Sequence, residues 1–190
     1  MKKYLVPLLL ILSNILVSAQ STPLDKVTGF HRQRQHELLA EYASFLSLPN
    51  TMNDTASLTE NALFIVDMMK KRGIPNARLL YGTTKNAIPA VFGEVIVPNA
   101  TTTIAFYAHY DGQPVNPDKW AEGLRPFVPQ MATTSLEKGG MFIDFPQKNE
   151  PLSMDARIYG RSSSDDKAGV FSIITAYDAL RQNGIAPTVN

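Results

Sequence analysis

Two short groups of residues in this sequence contain side chains that could do chemistry together. His109 and Asp111 follow an apolar run, and Asp165 and Asp166 stand before a helix-like pattern. Side chains two apart on an extended chain point the same way, so Asp111 can hydrogen-bond one imidazole nitrogen of His109 while the other binds a metal. A carboxylate placed in this way fixes the tautomer of a metal-binding histidine and raises its basicity.

Each group also has an ordinary structural explanation. A histidine followed two residues later by an aspartate arises often by chance. Acidic residues such as Asp165 and Asp166 are favoured at a helix start, because they cap free N–H groups and complement the helix dipole. From these residues alone, the metal-site and the structural interpretations both stay open.

Composition narrows the classes of protein and of metal ligand. The chain has 190 residues, 44% of them hydrophobic and 18% charged, which is typical of one globular domain. Its formal net charge of +1 and its scattered basic residues predict no nucleic-acid partner. The sequence contains no cysteine, so disulfides and thiolate ligands are excluded and any metal would be held by His, Asp and Glu.

The first residues are typical of a targeting segment. Lys2 and Lys3 precede an apolar stretch at 4–17, and small residues lead up to Ala19. We predict a signal peptide at 1–19, cleavage after Ala19, and export to the periplasm or secretion. The apolar stretch is shorter than the roughly 20 residues of a membrane span and is interrupted by Pro7, so no stable membrane anchor is expected.

The elements that would position these side chains follow from hydrophobic periodicity and turn residues. After a polar link, the spacing predicts a packing helix at 34–46. A capping box of Ser57 with Glu60 predicts the start of a second helix that ends at Gly73. The apolar face from Val170 to Leu180 predicts a third helix, closed by Gly184.

Between the second and third helices the pattern favours short strands. Predicted strands lie at 77–81, 90–97, 102–108 and 157–159, and a further one begins at Pro187. The run at 102–108 is long enough for a central strand and ends directly at His109. Residues 114–155 are predicted to be a long ordered loop. The sequence therefore predicts an α/β fold with a mixed sheet flanked by helices.

Other chemistries do not fit the motifs. His31 and His36 have no partner at ligand spacing and are interpreted as ordinary helix residues. The turn from Gly160 to Asp165 lacks the Gly-Lys of a phosphate loop and the second glycine of a serine-hydrolase elbow. An EF-hand loop is excluded by the missing spaced acids.

The wider sequence resembles metallopeptidase family twenty. The resemblance rests on segments that occur in order: 106–114, Trp120, 125–127 and 159–169. Gln113-Pro114 and Trp120 are most similar to the carnosinase-type dipeptidase branch. The resemblance extends over about 30–190 and implies an α/β zinc-peptidase catalytic domain.

The resemblance also implies a role for each site residue. His109 would bind one zinc ion, Asp111 would orient His109, and Asp165 would bridge two zinc ions about 3.5 to 4 Å apart. Mn²⁺ or Co²⁺ could substitute for zinc, and a cis peptide is expected between Asp165 and Asp166. The implied reaction is hydrolysis of small peptides or N-acyl amino acids by metal-activated water.

Two departures from the family pattern stand out. Ser162 occupies a position where the family usually has glycine, which puts the local loop geometry in doubt. The family's general base, its remaining ligands and its dimerisation domain would lie beyond Asn190. We therefore expect 20–190 to be the N-terminal part of an incomplete catalytic domain, inactive by itself, with a homodimer only if that domain is supplied. The alternative is an exported, non-catalytic binding protein on the same scaffold.

Overall fold

The computed structural model describes residues 21–84, 87–148 and 150–190; the signal peptide predicted at 1–19 lies outside them. Three helices dominate this part of the chain: α1 (Pro23–Ser47), α2 (Thr55–Lys71) and α3 (Lys167–Gln182). Within these ranges no helix combines the length and the apolar character that crossing a membrane requires.

The first two helices begin earlier than the sequence predicts. α1 starts at Pro23 because Thr22 and Asp25 form a complete capping box, so the polar link expected before residue 34 is wrong. α2 starts at Thr55, capped by Asp54, whose carboxylate accepts the Ser57 N–H at 3.0 Å. Its predicted end is confirmed, since Gly73 has a φ of 81°.

The core lies where the three helices pack on one another. Their apolar stripes meet in one buried cluster, as the helical periodicity predicts. The cluster is formed by Leu38, Tyr42, Phe45, Leu46, Ile65, Met68, Val170, Phe171 and Ile174.

A buried charge network joins the same three helices. Asp178 of α3 accepts hydrogen bonds from Arg34 of α1 and from Arg181, both at 3.1 Å. The Nε of Arg72 lies 3.8 Å from the Asp178 carboxylate, and Arg72 also pairs with Glu41. Asp178 is only 3% exposed, so these guanidinium groups replace water in stabilising its negative charge.

In the described residues the strands form two small antiparallel sheets. β1 (Arg78–Leu80) pairs with β2 (Ala90–Phe92), with Leu79 opposite Val91. In the second sheet β3 (Gln130–Ala132) lies between β4 (Phe142–Ile143) and β5 (Arg157–Tyr159). The α/β class and the strand at 157–159 are confirmed, with two sheets in place of a single one.

Three strand and loop predictions differ from the structure. The segment 102–108 forms no regular strand in the described part of the chain, because only Asn190 pairs with its backbone, at Thr102 and Ile104. Tyr107 is consequently 87% exposed. The predicted loop at 114–155 contains β3, β4 and two one-turn 3₁₀ helices, and the predicted strand at 90–97 ends at Phe92.

Candidate metal centre

His109 lies at the end of the extended segment, with Asp111 against one of its ring nitrogens. Its Nδ1 is 3.1 Å from the Asp111 backbone oxygen and 3.2 Å from the Asp111 Oδ1. The backbone oxygen and the carboxylate oxygen both accept hydrogen bonds, so Nδ1 carries a proton. The contact between His109 and Asp111 expected from their spacing is present.

The other ring nitrogen faces the second group of residues. The Nε2 of His109 lies 2.9 Å from the Oδ1 of Asp165, although the two residues are 56 positions apart in sequence. His109 is 37% exposed and Asp165 is 86% exposed, so the pair opens to solvent. The structure thus brings together the three residues that the sequence singled out: His109, Asp111 and Asp165.

The acceptors of this triad call for either a proton or a metal ion between His109 and Asp165. If Nδ1 carries the proton of a neutral imidazole, Nε2 presents a lone pair to a carboxylate oxygen, and two acceptors face each other. Either a second proton on the ring or a metal ion removes that repulsion. The arrangement is that of a histidine whose tautomer is set on one side for a ligand on the other.

The same contacts shift the protonation of the ring. Burial alone would lower the pKa of His109, but the hydrogen bonds to Asp165 and to the Asp111 backbone, with the charges of both carboxylates, outweigh burial and raise the pKa. These contacts therefore stabilise the imidazolium form of His109 relative to that of a free histidine. A metal ion would have to displace that proton, so metal binding should weaken as pH falls.

The geometry fits two ligand positions of one zinc ion. Ligands about 2.1 Å from a tetrahedral zinc lie about 3.4 Å from each other, so Nε2 and Oδ1 need to separate by only about 0.5 Å. Imidazole and carboxylate are also the ligand types that zinc accepts without cysteine. Across the described ranges, however, no group of three or more His, Asp or Glu side chains is gathered as a metal site.

Both carboxylate oxygens of Asp166 accept hydrogen bonds from backbone N–H groups. Its Oδ1 accepts the Gly169 N–H at 3.1 Å and caps α3, while its Oδ2 accepts the His109 backbone N–H at 3.3 Å. The peptide between Asp165 and Asp166 is cis, which confirms that expectation. The bridging role of Asp165 stays a prediction.

Ser162 takes a backbone conformation that favours glycine. Its φ is 62°, in the left-handed region, so the turn toward Asp165 is kept despite the side chain. The turn is further held against the segment 125–127, since the backbone N–H of Arg161 donates to the Pro126 carbonyl at 2.6 Å.

The buried contacts of Lys167 and Asn50 were not predicted from the sequence. Lys167 is fully buried, and its Nζ donates to the carbonyls of Phe45 and Leu48 at 2.7 and 2.8 Å, over the ring of Phe45. Burial lowers the pKa of Lys167 to about 7. For Lys167 the sequence offered one indication, its position next to Asp166. Asn50 follows Pro49 and has the pattern of an ordinary turn residue.

Comparison with known proteins supports the class of fold. No family model and no curated protein matches the sequence. Solved structures with a similar α/β fold are found. One such structure is the di-peptidase Dug1p from Saccharomyces cerevisiae, with a TM-score of 0.62 and 20% identity over 85% of this chain. The match covers 32% of Dug1p, so the chain spans about a third of that protein's length.

Proposed function

We propose that this chain contributes part of the metal centre of a zinc-dependent peptidase that hydrolyses dipeptides or related amides, such as N-acyl amino acids. The observation that carries the proposal is the His109 Nε2 facing the Asp165 Oδ1 at 2.9 Å, with Asp111 holding the opposite nitrogen. The dipeptidase-like fold agrees with it. A complete site would hold two zinc ions, with Mn²⁺ or Co²⁺ as substitutes.

Each residue has a distinct part in the proposed chemistry. Bound zinc would polarise the scissile carbonyl and lower the pKa of a water molecule. His109 provides a neutral nitrogen ligand, and Asp111 keeps the proton on the far side of the ring. The exposed carboxylate of Asp165 has a second oxygen for a second ion. The general base and the remaining ligands would come from further sequence, so we propose that these residues alone are inactive.

We also propose that the protein is exported, to the periplasm or the exterior, after cleavage near Ala19. The basic start and apolar run of the first residues support export. The near-neutral net charge supports the proposal that no nucleic acid is bound, and the small peptide or N-acyl amino acid substrate follows from the proposed chemistry. A homodimer would require the additional domain found in family twenty.

A second candidate function is that of an exported binding protein that keeps the peptidase scaffold without its chemistry. It is favoured by one observation: in the residues the structure covers, no cluster of three or more potential ligands is present. Such a protein should bind no zinc at His109.

Zinc binding separates the two functions. The purified chain should bind zinc weakly, as measured by competition with a chromophoric chelator and by elemental analysis, and His109→Ala and Asp165→Ala should each abolish binding. His31→Ala is the matched control, because it removes an imidazole of α1 that has no contact with the site residues. Equal zinc binding by the His109→Ala and His31→Ala variants would refute the site.

Activity gives the second arm of the test. A panel of dipeptides and N-acyl amino acids should show no turnover with added zinc or manganese. Turnover above the His109→Ala variant would show that these residues complete a catalytic site by themselves, contrary to the proposal.

A further inference from the structure

The loop between α1 and α2 places a buried amide between the two halves of the candidate metal centre. Asn50 is fully buried. Its Nδ2 donates to the Tyr110 carbonyl at 2.7 Å and to the Ser162 Oγ at 2.9 Å. Tyr110 lies between His109 and Asp111, and Ser162 begins the turn that leads to Asp165. One amide group therefore contacts both segments that carry the candidate ligands.

The backbone of the same loop pairs with the histidine segment. The Gly112 N–H donates to the Asn50 carbonyl at 2.7 Å, and the Met52 N–H donates to the Gly112 carbonyl at 3.2 Å. The contact is so close that a Cβ on Gly112 would lie 3.0 Å from the Asn50 Oδ1 and 3.0 Å from the Ser162 Oγ. Glycine at this position lets the three segments meet.

The second half of the site is held in a conformation that is costly for serine. A left-handed φ is disfavoured for a non-glycine residue, because its Cβ comes too close to the backbone carbonyl. The Asn50 amide offsets part of this cost, because it donates to the Ser162 hydroxyl inside a buried environment. Asn50 thus pairs with the hydroxyl of Ser162. A glycine at position 162 would have no side chain for Asn50 to contact.

The loop itself cannot easily shift, because buried side chains hold the residues just before Asn50. The Nδ2 of Asn61 on α2 donates to the Pro49 carbonyl at 2.7 Å. Lys167 on α3 donates to the Leu48 carbonyl at 2.8 Å. With its neighbours fixed to two helices, Asn50 presents its amide at a set point of the fold.

We propose that Asn50 is a positioning residue for the two candidate ligands, His109 and Asp165. It sets the separation of the His109 Nε2 and the Asp165 Oδ1, because it hydrogen-bonds the segments that carry both residues. The inference deepens the proposed function and rests on it for the identity of the ligand. Asn50 does not contact the metal in this assignment. Its effect passes through Tyr110 and Ser162.

The test compares Asn50→Ala with Val66→Ala, which also opens a buried site but lies in a separate apolar cluster with Ile74 and Ala77. Both variants are studied where circular dichroism shows them folded. We expect Asn50→Ala to weaken zinc binding about 10- to 100-fold, the range for groups that orient a ligand. Val66→Ala should stay within about twofold of the unmodified chain.

A readout without metal accompanies the titration. Backbone amide hydrogen exchange in 107–113 and 160–166 should accelerate at least about tenfold in Asn50→Ala and not in Val66→Ala, because the loss is local. Ser162→Ala is the milder variant if Asn50→Ala does not fold. It removes only the hydroxyl acceptor, and it should weaken zinc binding about threefold or more. Where Asn50→Ala does fold, adding Ser162→Ala to it should have no further effect on zinc binding.

The outcomes separate the two proposals. Zinc affinity and local exchange in Asn50→Ala that match those of Val66→Ala overturn the positioning role and leave the metal site standing. If the unmodified chain binds no more zinc than His109→Ala, the proposed function fails, and the exchange data still decide whether Asn50 orders the two segments.

Discussion

Replacing Lys167 by methionine tests whether a buried amine stabilises this fold in a pH-dependent way. Lys167 is fully buried and donates to the Phe45 and Leu48 carbonyls at the end of α1. Methionine has a similar length and no donor. The substitution therefore removes the hydrogen bonds and the titrating group while it keeps most of the packing.

The sign follows from the two protonation states. Burial lowers the pKa of Lys167 to about 7 in the folded chain, whereas a free lysine has a pKa of about 10.4. Between these values the unfolded chain binds more protons, so folding stability rises with pH by up to about 1.4 kcal/mol per unit. From pH 7.5 to 9.5 the gain is about 2 to 3 kcal/mol.

The variant should lose this dependence. At pH 9 the neutral amine donates without a buried charge, and its removal leaves backbone carbonyls unmet, at a cost of about 2 kcal/mol. The difference between the two proteins should shrink to about zero near pH 7.5. There folding must remove a proton from the Lys167 amine, and that cost offsets the gain from its hydrogen bonds.

Urea unfolding followed by circular dichroism, from pH 6.5 to 9.5, measures both curves. The upper limit matters because burial raises the pKa of Tyr42 and of Tyr110 to about 12. Those tyrosines stay protonated in the folded chain while the unfolded chain ionises, so stability falls above pH 10 for a separate reason. A constant difference between Lys167→Met and the unmodified chain across the whole range would refute the reasoning.

The remaining predictions concern the ligands and the charge network. In a protein with a complete site, His109→Ala should lose zinc and activity together. Asp111→Asn should lose most activity, with a fall in zinc affinity of at most about 10- to 100-fold. Equal loss of zinc in the two variants would contradict the orienting role of Asp111. Asp165→Ala should abolish metal binding, while Asp166→Ala should spare it and cost about 1 kcal/mol of stability through the lost helix cap; calorimetric titration in the reverse order would move the bridging role to Asp166. Asp178→Asn should destabilise the chain by about 2 kcal/mol in urea, since it removes the charged acceptor of Arg34 and Arg181 and leaves the buried Arg72 with Glu41 as its remaining partner; a change below about 0.5 kcal/mol would contradict that.

Much of the fold was accessible from local patterns. The three helices were predicted because apolar residues at helical spacing and end signals such as Gly73 act within a few residues of each other. The start of α1 was missed because its capping box at Thr22 precedes a stretch with few apolar residues. The segment 102–108 has the composition of a strand, but a strand also needs neighbours, and composition does not supply them.

The candidate site divides in the same way. The sequence by itself determined the residue types and the contact within the His109–Asp111 pair, because two-residue spacing on an extended chain places both side chains on one side. Only the tertiary structure decided that Nε2 of His109 meets Asp165, and that Asn50 joins the two segments. Those contacts join residues more than 50 positions apart, and their distances depend on how the helices pack, which no local pattern encodes.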